Sequence, residues 1–206
     1  DGFVTLGFDG ARFRDATALV ATEISTGLQQ LLGLWERPED VEEWEVPEDE
    51  VTELVADSME RFEVCLLYAD PPHWTETVGS WSAKWPDRVL EWWTNRSKTM
   101  AYAHRAYLEA IAAGIVMFGG DDEGREEFHP HSDLIRHLGN AGVKELRLKD
   151  DEGKPLYVMA KQDGRDDLKF DAAMAASLSW TACLDARKAG LTPRRGRKTR
   201  APRRIY

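Results

Sequence analysis

The 206-residue sequence predicts an α/β fold: a central mixed five-stranded sheet flanked by helices, with an added β-hairpin. Three observations carry this prediction. Strand-like runs follow one another at the start, later apolar runs alternate with helix-period segments, and an alternating stretch near the end is broken by a DDEG turn.

Residues 2–9, 17–25 and 28–36 read as successive strands, with Thr26-Gly27 as a tight turn, so a meander comes first. Residues 37–47 are a polar connection. Pro47, followed by Glu48, Asp49 and Glu50, opens a helix running to about residue 62, and Val51, Leu54, Val55, Met59 and Phe62 form its apolar face. FEVCLLYAD is a nearly continuous apolar run of buried-strand type that stops at Asp70, before Pro71-Pro72. A short helix over 73–84 and a fifth strand in RVLEWW follow.

Residues 98–114 form a long amphipathic helix ended by Gly114, and residues 115–128 a short apolar piece with an acidic loop. HSDLIRHLGNAG supplies a further helix, and residues 144–162 a β-hairpin. FDAAMAASLSWTACLDARKAG is the last helix, whose Ala and Ser residues are small enough for close approach to a sheet. The order βββαβαβα predicts a sheet that is antiparallel on one side and parallel on the other, which is the RNase H-like plan. The expected organisation is one domain over 1–187 and a basic, disordered tail over 188–206.

With 42% hydrophobic and 31% charged residues, the composition is that of a soluble globular protein, and no apolar run approaches the roughly 18–20 residues of a membrane span. No signal-peptide pattern opens the chain. It begins on Asp-Gly and enters a strand at once, which fits a domain taken from a longer protein. Cys65 and Cys183 read as buried thiols of a reducing compartment.

The net charge of −10 is unevenly spread: residues 187–206 hold nine Lys/Arg and no acid, leaving −19 on residues 1–186. Such a body repels nucleic acid unless basic patches or divalent cations reverse the local sign. There is no internal repeat and no GxxxxGK[ST] phosphate loop, so ATP hydrolysis is excluded for this chain.

Chemistry concentrates on three acids: Asp9 at the end of the first strand, Asp70 at the end of the fourth, and Asp171 at the start of the last helix. If the first and fourth strands are adjacent and parallel, Asp9 and Asp70 leave the same edge of the sheet, and a helix over that edge brings Asp171 to them. Clustered carboxylates repel, and divalent cations relieve that repulsion. Oxygen ligands suit Mg²⁺ or Mn²⁺, and two such ions activate a water and stabilise a leaving oxygen in phosphodiester hydrolysis.

Each acid also has a structural reading as a turn or capping residue. Asp15 fits either an outer-shell metal role or an Asx-turn. Asp166 and Asp167 precede the last helix, where its dipole alone accounts for acids and an outer-shell contact is the alternative. Lys161 and Lys169 flank the site and suit either a scissile phosphate or solvent. His129, His131 and His137 lack the spacing of a zinc site and read as capping and packing residues. Trp74, Trp81, Trp85, Trp92 and Trp93 read as core around the fourth and fifth strands rather than as base-stacking platforms.

The segments GFDGARFRDATALVA, LLYADPPHW, HSDLIRHLGNA and LYVMAKQDGRDDLKFDAAMAASLSW, in this order, resemble the nuclease domain of the large terminase subunit of tailed double-stranded DNA bacteriophages. The resemblance reaches to about residue 187. It implies that Asp9, Asp70 and Asp171 are an acidic triad binding two divalent ions and cutting concatemeric double-stranded DNA during genome packaging, with little sequence preference and a 3′-hydroxyl product. It further implies an ATPase motor domain preceding this one in the same protein, a portal and a small terminase subunit as partners, no membrane, and work in the host cytoplasm. Pro71-Pro72 departs from the glycines or other residues of many members and stiffens the loop after Asp70. Rival readings are a structure-selective Holliday-junction resolvase of the same fold and a catalytically silent DNA-docking module.

Overall fold

The computed structural model describes residues 2–13, 15–38, 40–119, 131–163, 165 and 167–191. The chain runs β1 (Phe3–Gly10), β2 (Thr17–Glu23), β3 (Leu28–Trp35), α1 (Glu48–Arg61), β4 (Glu63–Ala69), α2 (Thr75–Lys84), β5 (Val89–Glu91), α3 (Ser97–Ala112), β6 (Met117–Phe118), α4 (Ser132–Asn140), β7 (Gly142–Lys149), β8 (Pro155–Ala160) and α5 (Asp171–Lys188). The first eight strands and helices of the reading appear in the expected order. Most of the acidic loop, His129, Asp166 and the basic tail beyond Leu191 lie outside the described residues.

The main sheet is ordered β5-β4-β1-β2-β3-β6. The meander β1-β2-β3 is antiparallel, while β4 joins β1, β5 joins β4 and β6 joins β3 in parallel. The sheet therefore has six strands rather than five. β6 pairs only Met117 and Phe118 with Leu28 and Gln29, too short a run to show periodicity in the sequence. β5 is shorter than RVLEWW, because the chain leaves the sheet after Glu91 and the Trp92 ring stacks on Tyr68 with centroids 4.6 Å apart.

Strand alternation divides β1 between two cores. Val4, Leu6 and Phe8 face α1 and α2, where Val51, Val55, Met59, Trp74 and Trp81 are buried. Phe8 meets the rings of Trp74 and Trp81 edge-on, at 5.3 and 5.2 Å. The opposite face of the sheet packs against α5, with Tyr107, Ala110 and Leu134 completing that core. α5 carries small residues on its buried positions, and burying a full-length apolar stripe of this kind contributes about 25 cal/mol per Å² removed from water.

The hairpin β7-β8 forms a separate sheet docked on α3, where His104 Nδ1 accepts the Met159 amide at 2.9 Å. Both cysteines are free. Cys183 is buried as read from the sequence; Cys65 is only half-buried, because it falls where the register of β4 against β1 shifts. No helix among the described residues is long and apolar enough to cross a membrane.

Candidate functional site

Two parallel strands deliver the first two acids to one edge. Phe8 pairs with Ala69, and the Asp70 amide donates to the Phe8 carbonyl at 3.0 Å, so Asp9 and Asp70 follow the last paired residues of neighbouring strands. Asp171 is the first residue of α5 and is buried.

The approach of α5 follows a matched ladder. Alternation puts Thr5, Gly7 and Asp9 on the α5 face of β1. Thr5 Oγ1 donates to the Ser179 carbonyl at 2.9 Å, and Ser179 Oγ donates back to the Thr5 carbonyl at 3.1 Å. A Cβ on Gly7 would stand 2.0 Å from the Ala175 carbonyl oxygen and 2.3 Å from the Ser179 nitrogen. Two residues along a strand advance about 6.8 Å and four along a helix about 6 Å. The pairs Thr5 with Ser179 and Gly7 with Ala175 therefore continue naturally to Asp9 with Asp171.

A buried polar network holds α5 in this register. Gln29 Nε2 donates to Thr22 Oγ1 at 3.0 Å and to the Ala176 carbonyl at 2.9 Å, while its Oε1 accepts the Tyr107 hydroxyl at 2.7 Å. The Thr22 and Ser179 hydroxyls meet at 2.6 Å. Every polar atom of the Gln29 amide group is thus engaged, and sliding α5 by one residue would strand several of them at about 1–3 kcal/mol each.

On its other side Asp9 is followed by Gly10, where a Cβ would lie 2.5 Å from Trp74 Nε1. The two glycines flanking Phe8-Asp9 are thus required by close contacts on opposite faces of the sheet.

The electrostatics match clustered acids. Burial pushes the Asp9 carboxyl well above the usual carboxylate range, and the nearby charges of Asp171, Asp70 and Asp15 push it further. Burial, then Asp15, raises Asp171 to about 6, although its own backbone and that of Ala16 hydrogen-bond to the carboxylate. Asp171 Oδ2 is buried with no hydrogen-bond partner among the described residues. Burial also raises Asp70, against two donors from one residue: the Thr94 amide reaches Oδ1 at 3.1 Å and the Thr94 hydroxyl reaches Oδ2 at 2.7 Å.

The remaining sequence candidates fall around this centre. Asp15 accepts Lys161 at 2.5 Å and Lys169 at 3.1 Å on the same oxygen, and although burial raises it, these two ammoniums hold it below its ordinary range. Asp167 is exposed and forms a bidentate pair with Arg165, at 3.0 and 2.9 Å. His137 is fully buried; its Nδ1 accepts the Ala172 amide at 3.1 Å, and its Nε2 lies 3.2 Å from Glu36, which Arg136 also grips. Trp74 and Trp81 are core residues, as the sequence indicates.

Thr94, Glu36 and Gln29 are absent from the sequence reading. Nothing local marks them: each acts through a partner distant in the chain.

A divalent cation fits the residues here on two counts: burial holds all three carboxyls above the ordinary range, and one buried Asp171 oxygen has no hydrogen-bond partner among the described residues. Among the described residues no three His, Cys, Asp or Glu side chains already form a ligand cage. Asp9 feels the charges of both Asp171 and Asp70.

No protein-family profile matches the chain. A stretch of 88 residues, 42% of the chain, is 33% identical to the Gene 13 protein of Mycobacterium phage D29 and spans 14% of that protein's length. Among solved structures, the large terminase nuclease of thermophilic phage G20c matches with a TM-score of 0.61 at 16% identity, covering 88% of this chain and 82% of that one. The same nuclease with bound magnesium matches at 0.57 and 15% identity, with the same coverage. The HK97 bacteriophage large terminase matches at 0.62 and 17% identity over 88% of this chain and 40% of that chain. The chain has the RNase H-like fold of these large terminase nucleases.

Proposed function

We propose that this chain is a divalent-metal-dependent DNA endonuclease, the nuclease unit of a large terminase, with residues 1–187 as the working domain. The observation that carries the reading is the edge where β1 and β4 end side by side in parallel and α5 presents Asp171 to them. The fold shared with terminase nucleases, one of them crystallised with magnesium, supports the same reading.

In this reading Asp9, Asp70 and Asp171 hold two Mg²⁺ or Mn²⁺ ions, with Asp15 and Asp167 as outer-shell candidates. Such ions, when bound, supply neutralisation of the clustered carboxylates and activation of water for in-line attack on a phosphodiester. The protein's own groups prepare the site. Thr94 donates to both oxygens of Asp70 and favours its ionised form; the Gly7 and Gly10 contacts fix the backbone that carries Asp9; and Asp171 Oδ2 is buried without a hydrogen-bond partner among the described residues. The substrate is concatemeric double-stranded DNA cut with little sequence preference. An ATPase motor domain in the same protein, the portal and the small terminase subunit are the working partners, in the host cytoplasm.

Nicking of supercoiled plasmid in Mn²⁺ tests the assignment, with Asp70→Asn beside the natural chain. Metal-dependent nicking that the substitution abolishes is the expected result. Equal nicking by both proteins refutes the triad.

A further inference from the structure

Lys161 follows β8 and Lys169 leads into α5, yet their ammoniums meet on one oxygen of Asp15 in the β1–β2 connection. On a body that nets −19 over residues 1–186, these two lysines stand together beside the acids, Lys161 acting by charge on Asp171 and Lys169 on Asp167. The side chains of Lys161, Lys169 and Asp15 are 33%, 22% and 32% exposed, within reach of a ligand from solvent. The cluster adjoins the candidate site, since Asp15 acts by charge on both Asp9 and Asp171 and Lys161 acts on Asp171. Lys161 also lines a cleft of about 700 Å³ at the foot of the hairpin, together with Lys144, Gln162, Glu145 and Asp163.

We propose that Lys161 and Lys169 form a seat for a backbone phosphate of the DNA strand in the site, and that Asp15 occupies this seat until DNA displaces it. The inference rests on the nuclease reading above. A phosphodiester brings one negative charge and two free oxygens, so it replaces Asp15 without changing the charge balance and gives each ammonium its own acceptor. Asp15, already partly solvated, is released to water. In the free protein the contact blocks the seat; on DNA the same lysines orient the strand beside the three acids.

Binding of a fluorescently labelled double-stranded oligonucleotide across a salt series tests this, with the full chain carrying Asp70→Asn and Mn²⁺ present so that binding is read without cutting. Lys161→Ala with Lys169→Ala is expected to weaken binding about tenfold and to flatten the logarithmic salt slope by about 0.9 for each lysine removed. Asp15→Asn is expected to tighten binding about threefold or more. An unchanged slope in the lysine variant, or weaker binding by a folded Asp15→Asn chain, overturns the seat. Should the charge-unbalanced variants fail to fold, Asp15→Asn combined with Lys161→Gln and Lys169→Gln keeps neutral hydrogen-bonding groups in place, and affinity equal to the parent's overturns the seat as well. Metal-dependent nicking by the natural chain together with lysine-independent binding refutes the seat alone, whereas neither nicking nor DNA binding refutes the nuclease reading too.

Discussion

His137 Nδ1 accepts the amide hydrogen of Ala172 at 3.1 Å, and so satisfies a backbone donor in the first turn of α5 from the neighbouring helix α4. Burial holds the imidazole below its ordinary pKa, which keeps it neutral and leaves Nδ1 able to accept. Nε2–H then points to Glu36. Asp171 is the residue before Ala172, so this contact sets where the third acid stands.

His137→Ala removes the acceptor and leaves a cavity where a ring is fully buried. A loss of about 2–4 kcal/mol in urea unfolding is expected, against a smaller loss for His137→Asn, which retains a hydrogen-bonding group. In the nicking assay the alanine variant should lose turnover more than DNA affinity, because Asp171 is displaced while the rest of the surface is kept. Equal stability of the alanine variant and the natural chain would contradict the contact.

Gly7→Ala tests the ladder between β1 and α5. The added methyl meets backbone atoms of Ala175 and Ser179, which cannot turn aside as a side chain would. Destabilisation of more than about 3 kcal/mol, or loss of soluble protein, is expected. Gly10→Ala meets the Trp74 and Phe8 rings instead and should be milder. Thermal melts of the two variants, compared side by side, read the difference.

Thr94→Val keeps the shape of the side chain and the amide donor to Asp70 but deletes the hydroxyl donor. Since the hydroxyl lowers the Asp70 carboxyl, its removal lets burial raise that group further. The acid limb of the pH–rate profile for nicking is expected to move to higher pH, with stability lower by about 1–2 kcal/mol. A profile superimposable on that of the natural chain would show that Thr94 does not tune Asp70.

The raised carboxyl of Asp171 makes a signed prediction for metal-free protein. Folding lifts it from an ordinary 3.8 to about 6, so between these values the folded state binds more protons than the unfolded state, and this group makes stability fall as pH rises. Above pH 6 the penalty is fully present, about 2–3 kcal/mol at 1.36 kcal/mol per unit. In EDTA, Asp171→Asn should therefore melt higher than the natural chain at pH 7, and the gap should close as pH falls from 6 towards 4. A gap that is constant with pH would mean that the carboxylate carries no electrostatic penalty. Mn²⁺ should stabilise the natural chain more than the variant.

The order of elements was open to inspection because it rests on short-range causes. Alternation marks β1, a continuous apolar run marks β2, the acidic first turn after Pro47 marks α1, and the Ala/Ser run marks α5 as a helix built for close approach. The three acids at element ends were legible for the same reason, since a carboxylate beside an apolar run stands out locally. Less was visible where an element is too short for periodicity, as in β6, or where a tertiary contact cuts one short, as when Trp92 turns to stack on Tyr68.

By itself, then, the sequence determined which segments are strands and helices and which ends carry acids, because those depend on neighbours a few residues apart. Only the tertiary structure decided that Thr94 holds Asp70, that His137 caps α5 from α4, that Gln29 pins the register bringing Asp171 to Asp9, and that Lys161 and Lys169 converge on Asp15. Each of these partners lies tens of residues away along the chain, and a hydrogen bond between them leaves no periodic trace in the sequence; it exists only once the sheet order and the packing of α5 have placed the two groups within reach.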